Sequence, residues 1–154
     1  MHKNKENLKE CISEEQILSR IKDIAFEISK KYENNTPILI CVLKGSFIFA
    51  ADLIREIEID CEIDFIQISS YSGKSSSQEI KLKKDISVNI RNRDIIIIED
   101  IIDTGITINF LKKWIGKLEP KSTAIATLLM KPQIEKIDFK IDWVGFEIAP
   151  EFVV

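Results

Sequence analysis

Residues 95–107 read Ile-Ile-Ile-Ile-Glu-Asp-Ile-Ile-Asp-Thr-Gly-Ile-Thr, and no other run limits the fold so strongly. Four successive β-branched apolar residues without a helical stripe fit a strand covered on both faces, as in a parallel sheet. Asp103-Thr104-Gly105 then supplies turn residues, and Thr107 opens a segment in which Ile108, Phe110, Leu111, Trp114 and Ile115 share one helix face. Strand, turn and helix in that order put the turn at the carboxyl edge of an open α/β sheet, where ligands bind.

A helix start offers unpaired backbone N–H groups to an anion. Thr104, Gly105, Ile106 and Thr107 are therefore expected to cradle a phosphate, with two hydroxyls and an unhindered glycine backbone. Glu99, Asp100 and Asp103 stand just before the cradle. Three carboxylates would repel a bare phosphate unless a cation or sugar hydroxyls came between, so the economical ligand is a phosphorylated sugar with Mg²⁺. The bland alternative is a strand ending in solvent on two acids, followed by an ordinary turn.

The rest of the chain sets bounds. At 154 residues it predicts a single domain over 1–154, able to bury roughly 70% of its unfolded surface. With 45% hydrophobic and 31% charged residues, a net charge of -3 and a pI near 5.3, it is an acidic globule without the basic excess of a nucleic-acid binder. Residues 1–12 read as a flexible tail without the apolar core of a signal peptide, and no apolar run approaches the ~20 residues of a membrane span. A cytoplasmic location is expected, with no membrane or nucleic-acid partner. Cys11, Cys41 and Cys61 are odd in number and unclustered, and His2 is the sole histidine, so a disulfide framework, a Cys/His metal site and a Ser-His or Cys-His pair are all disfavoured. Any metal would take oxygen ligands.

Ser13 and Gln16 form a capping-box pattern, and Ile17, Ile21, Ile24, Ala25 and Ile28 follow at helical spacing, predicting a helix to about Tyr32. Residues 33–37 break it before a buried strand over 38–43, a helix over 47–57 and a third strand over 61–69 nearer an edge. Residues 71–79 shift to Ser, Gly, Lys and Gln with almost nothing to bury, and read as a mobile loop. Short strands are possible over 80–82 and 86–90; strands over 122–129 and 143–148 complete the pattern. The expected fold is α/β, a central, mainly parallel sheet of about five strands flanked by helices.

Two further clusters sit at strand ends. Lys44-Gly45-Ser46 closes one strand before a helix, offering backbone N–H groups, a hydroxyl and a fixed cation suited to pyrophosphate. Lys131 follows Leu128, Leu129 and Met130, where its ammonium can donate to a carbonyl oxygen or simply meet solvent.

Residues 95–107 resemble the phosphoribosyl-pyrophosphate (PRPP) signature of the type I phosphoribosyltransferases, in the hypoxanthine-guanine branch. The resemblance runs from about Ser13 to Val154, with the motifs in the family's order. Asp103 carries the branch assignment, since that position is typically Ala in adenine enzymes, Thr in orotate enzymes and Tyr in a pyrimidine-operon RNA-binding regulator.

The resemblance implies a Mg²⁺-dependent purine-salvage enzyme that moves the phosphoribosyl group of PRPP to hypoxanthine or guanine, giving IMP or GMP. It makes Asp103 the catalytic acid-base residue. Thr104 to Thr107 would hold the 5'-phosphate, while Glu99 and Asp100 approach the ribose hydroxyls and, indirectly, the metal. Lys44, Gly45 and Ser46 would bind pyrophosphate, next to a Leu43–Lys44 peptide that is often cis in the family. Ser70 and Tyr71 match a Ser-Tyr pair on a flexible lid over the active site. Lys131 would meet the purine's 6-oxo group, Phe152 would stack on the base, and the backbone of Val153 would bond its edge. Relatives continue through Gly-Tyr-x-Leu-Asp, whose Asp helps bind Mg²⁺ and base, to an Arg that contacts pyrophosphate. The sequence stops at Val154, so the expectation is a complete sugar side and a shortened purine side. Homodimers or homotetramers are the implied assemblies. Alternatives on the same fold are a xanthine- or adenine-directed enzyme, a regulator binding RNA or nucleotides, and an inactive ligand-binding subunit.

Overall fold

Ile95, Ile96, Ile97 and Ile98 are all fully buried, and they face alternately into two different apolar clusters. That two-sided burial is the physical reason for an unbroken β-branched run: each face of the strand is roofed by helix. The computed structural model describes residues 11–71, 79–132, 137 and 139–149. Among them, Ile38–Leu43 (β1), Glu62–Tyr71 (β2), Glu79–Lys84 (β3), Asp94–Ile102 (β4), Ser122–Met130 (β5) and Trp143–Glu147 (β6) form one sheet in the order β3-β2-β1-β4-β5-β6. Only β3 runs antiparallel to its neighbour.

Glu14–Lys31 (α1) begins at a true capping box, with the Ser13 hydroxyl accepting from Gln16 N and the Gln16 side chain accepting from Ser13 N. Glu14 and Glu15 in its first turn and Lys30 and Lys31 in its last complement the helix dipole. Phe47–Glu56 (α2) packs beside α1, and the two cover Leu39, Cys41, Ile96, Ile98, Ala124 and Ala126. Ile106–Gly116 (α3) sends Ile108, Leu111 and Ile115 to the opposite face, onto Ile38, Ile40, Ile95, Ile97 and Ile125.

The chain leaves β1 through α2 toward β2, and leaves β4 through α3 toward β5, in opposite directions along the sheet. Crossovers of one hand must then lie on opposite faces, as α2 and α3 do. The adjacent carboxyl ends of β1 and β4 thus make a topological switch point, the crevice where such sheets bind ligands.

The sheet has six strands rather than about five, because the expected short strand over 80–82 is the middle of β3. Residues 86–90, by contrast, form no strand. Their backbone is claimed by a side chain: buried Asp64 accepts from Ser87 N and from Val88 N at 3.0 Å, and Lys84 Nζ closes on the same carboxylate at 3.4 Å. Burial alone would raise the Asp64 pKa, but these donors and Phe65 N together hold it below the ordinary carboxylate value. The expected mobile loop over 71–79 is flanked by Tyr71 and Glu79, which pair as strand residues; 72–78 lie outside the described residues, as do 1–10. Among the described residues no helix is long and apolar enough to cross a membrane.

Candidate active site

β4 does not stop at its isoleucines. It continues through Glu99 and Asp100 to Ile102, which draws Glu99 into the interior at 6% exposure rather than releasing it to solvent. Its Oε2 has no hydrogen-bond partner among the described residues, while Oε1 accepts from Asp100 N at 3.3 Å. Burial, and then the hydrogen bond and charge of the Asp100 carboxyl, push the Glu99 pKa up to about 9. In the ligand-free protein Glu99 is therefore neutral at pH 7, a hydrogen-bond donor beside the Asp100 carboxyl.

The β1 end meets that carboxyl directly. Cys41 pairs with Ile98, so the loop after Leu43 arrives beside Asp100. A Cβ on Gly45 would lie 2.1 Å from Asp100 Oδ2, a contact no side chain tolerates. The Leu43–Lys44 peptide is cis, as the family resemblance implies. Ser46 differs from expectation: it is fully buried, and both its N–H and its hydroxyl are given to Val42 O, at 3.3 and 2.7 Å. Its hydroxyl ties the loop to β1 instead of facing a ligand, which leaves exposed Lys44 and Gly45 as the open part of the loop.

After β4, Gly105 turns the chain with φ 77°, a conformation that favours glycine, and α3 starts at the next residue. The Thr104 hydroxyl accepts from Ile106 N at 3.4 Å, and Asn109 N donates to Gly105 O. The first-turn N–H groups of α3 point out of the helix start at the cleft. That cleft, of about 260 Å³, gathers Glu99, Asp100, Asp103, Thr104, Gly105 and Thr107.

Asp103 and Lys131 converge across the sheet. Ile102 pairs with Met130, so the residues that follow the two parallel strands emerge side by side; Lys131 N donates to Ile102 O, and Lys131 Nζ lies 3.0 Å from Asp103 Oδ2. Lys131 is only 15% exposed against 56% for Asp103. The lysine is held and the carboxylate presented. Ser70 and Tyr71 occupy the last two positions of β2, paired with Ile80 and Glu79, whereas Phe152 and Val153 lie outside the described residues.

Two contributions escaped the sequence reading. The Asp103–Lys131 pair could have been found by aligning the ends of the two strands. Ile68 and Ile80, which also line the cleft, gave no signal beyond ordinary strand alternation.

The family model described as the phosphoribosyl transferase domain matches residues 10–154. This chain is a member of the phosphoribosyltransferase family. It is 41% identical to the hypoxanthine phosphoribosyltransferase of Salmonella typhimurium, over 97% of this chain and 86% of that protein. With the hypoxanthine-guanine phosphoribosyltransferase of Bacillus subtilis it shares 44% identity over 95% of this chain and 82% of the relative. A crystal structure of a hypoxanthine-guanine phosphoribosyltransferase from Bacillus anthracis, with a HEPES molecule in the active site, superposes with a TM-score of 0.86 at 45% identity, covering 94% of this chain and 84% of that one. The sheet and its flanking helices are those of a type I phosphoribosyltransferase, and the cleft lies where the carboxyl ends of this phosphoribosyltransferase's central strands meet.

Proposed function

We propose that this phosphoribosyltransferase joins hypoxanthine or guanine to the phosphoribosyl group of PRPP, forming IMP or GMP and releasing pyrophosphate. The observation that carries the base assignment is the Asp103–Lys131 pair. A 6-oxopurine presents its oxygen and its imidazole nitrogen on one edge, spaced for a bidentate partner. An ammonium and a carboxylate 3.0 Å apart suit that edge: Lys131 donates to the oxygen, and Asp103 takes the proton from the imidazole nitrogen beside it as the other imidazole nitrogen attacks the anomeric carbon. Adenine would set an amino group against the ammonium, donor facing donor.

The other roles follow from position. Thr104, Gly105, Ile106 and Thr107 hold the 5'-phosphate at the start of α3. Neutral Glu99 donates, and Asp100 accepts, toward the ribose hydroxyls. Lys44 and the backbone at Gly45 receive pyrophosphate, with Ser46 fixing their loop. Ser70 and Tyr71 belong to the lid, and Phe152 and Val153 to the purine side. Most of the acceleration comes from alignment and from stabilising charge on the departing pyrophosphate.

Among the described residues no group of three or more His, Cys, Asp or Glu could hold a metal by itself. Asp100, with the unpartnered Glu99 Oε2 behind it, would hold a Mg²⁺ through carboxylate oxygen, the donor type that hard cation favours. Bound there, Mg²⁺ would supply positive charge to the pyrophosphate oxygens. A homodimer or homotetramer is part of the proposal, supported by exposed Ile63 and Phe65 of β2 and Phe47 and Ile48 of α2. Three free thiols suit the cytoplasm.

The test supplies PRPP and Mg²⁺ with hypoxanthine, guanine, xanthine or adenine in turn and measures pyrophosphate release. Release with the first two supports the reading. Release with adenine alone, or salt-dependent RNA binding without release, overturns it.

A further inference from the structure

β4 and β5 change face just before they reach the site. In β4, Ile97 packs into the cluster under α3 and Ile98 into the one under α1 and α2; in β5, Ile125 and Ala126 divide in the same way. Strict alternation from there would turn Ile102 and Met130 toward α1 and α2. Both pack instead against the α3 cluster, whereas Leu128 still packs on the other side. Each strand has therefore turned over once, β5 between Leu128 and Met130. The two turn over together, since Glu99 stays paired with Thr127 and Ile102 with Met130.

The row where this happens is Asp100, Leu128 and Gly145. Ladder pairs join Glu99 to Thr127 and Thr127 to Val144 on one side, and Ile101 to Leu129 and Leu129 to Phe146 on the other, but these three form no ladder pair with one another. Ladder hydrogen bonds lie in the sheet, and side chains stand off it. A Cβ on Gly145 would lie 2.3 Å from Leu128 O, so that carbonyl has left the ladder for the space a side chain would fill. Thr127, fully buried, donates its hydroxyl to Leu129 O at 2.9 Å and so braces the chain across Leu128.

We propose that Thr127 and Gly145 are positioning residues for base selection, holding the turned-out Leu128 peptide that delivers Lys131 to Asp103. The inference rests on the reading of Lys131 as the donor to the purine oxygen. Alternation carried on from Ile125 would bring residue 131 out on the α3 face, and the turn-over brings it out on the other. There its N–H meets Ile102 O, and its ammonium meets the carboxylate of Asp103, which follows the matching turn in β4. Neither Thr127 nor Gly145 lines the cleft, so both act through Lys131.

The experiment measures KM for hypoxanthine and for PRPP in the full chain, in Thr127→Val, Thr127→Ser and Gly145→Ala, and in Thr127→Val combined with Lys131→Ala. Thr127→Val keeps the shape and loses the donor; its KM for hypoxanthine should rise about tenfold while that for PRPP stays within about twofold. Thr127→Ser restores the hydroxyl and should match the unaltered chain. Gly145→Ala must push Leu128 O aside and should show the same split, and where it does not fold Thr127→Val carries the test alone. In the Lys131→Ala background, Thr127→Val should raise the KM for hypoxanthine no further, because the residue it positions is gone. An unchanged KM for hypoxanthine in folded Thr127→Val, an equal rise for both substrates, or the full rise again without Lys131 overturns the positioning role alone. No nucleotide from the unaltered chain overturns the transfer reading and the positioning role with it.

Discussion

Lys131 Nζ lies 3.0 Å from Asp103 Oδ2, although 28 residues separate the two along the chain. The contact exists because β4 and β5 run parallel in register up to Ile102 and Met130, so that the next residue of each strand arrives at the same edge. A cation and a carboxylate on one edge make a two-point reader for a base, and each point can be removed separately.

Lys131→Ala should lower kcat/KM for hypoxanthine on the order of 10- to 100-fold, the scale of a lost specific hydrogen bond to a charged group, with little change in the KM for PRPP. Adenine should be disfavoured less by this variant than by the unaltered chain. Steady-state kinetics with both bases checks it; an equal loss for each would remove Lys131 from base selection.

Asp103→Asn keeps shape and removes basicity. Turnover should fall about 10² to 10⁴-fold while PRPP affinity, measured by calorimetry, stays within a few-fold. A matching fall in affinity would make Asp103 a binding residue instead of the proton acceptor.

The Gly45–Asp100 contact predicts non-additivity. With an added methyl 2.1 Å from Asp100 Oδ2, Gly45→Ala must displace either the loop or the carboxylate, and PRPP affinity should drop at least about tenfold. Removing the obstacle first should abolish that effect. The double variant with Asp100→Ala should bind PRPP no worse than Asp100→Ala alone, and strict additivity would show that the two residues act apart.

Glu99 gives a pH signature. Its pKa rises from an ordinary 4.5 to about 9 on folding, so between those values the folded protein holds a proton that the unfolded chain has released. Stability from this group is complete below pH 4.5 and declines as pH rises toward 9. Glu99→Gln, neutral throughout, should melt higher than the unaltered chain at pH 8, with the gap closing toward pH 4.5. Thermal melts of ligand-free protein across that range measure it. A constant gap would place the origin of the effect elsewhere.

The fold was legible wherever local chemistry and tertiary demand agree. Ser13 and Gln16 announced α1, and Ile95 to Ile98 announced a strand buried on both faces, because both signals are written within a few residues. Residues 86–90 misled for the opposite reason: their alternation suits a strand, but Asp64, more than twenty residues earlier, takes the backbone donors a ladder would need. Ser46 misled similarly, since whether a hydroxyl faces ligand or Val42 O is decided by the path of the loop rather than by residue type. Asp103 and Lys131 were each legible as chemistry; their partnership was not, because register between parallel strands is a tertiary property.

The most direct measurement is a single reaction holding this chain, Mg²⁺, PRPP and equal amounts of hypoxanthine and adenine, with products identified by mass. Use of Asp103 and Lys131 to read a 6-oxopurine edge predicts IMP, pyrophosphate and no appreciable AMP. AMP in equal or greater yield, or no nucleotide at all, would contradict it.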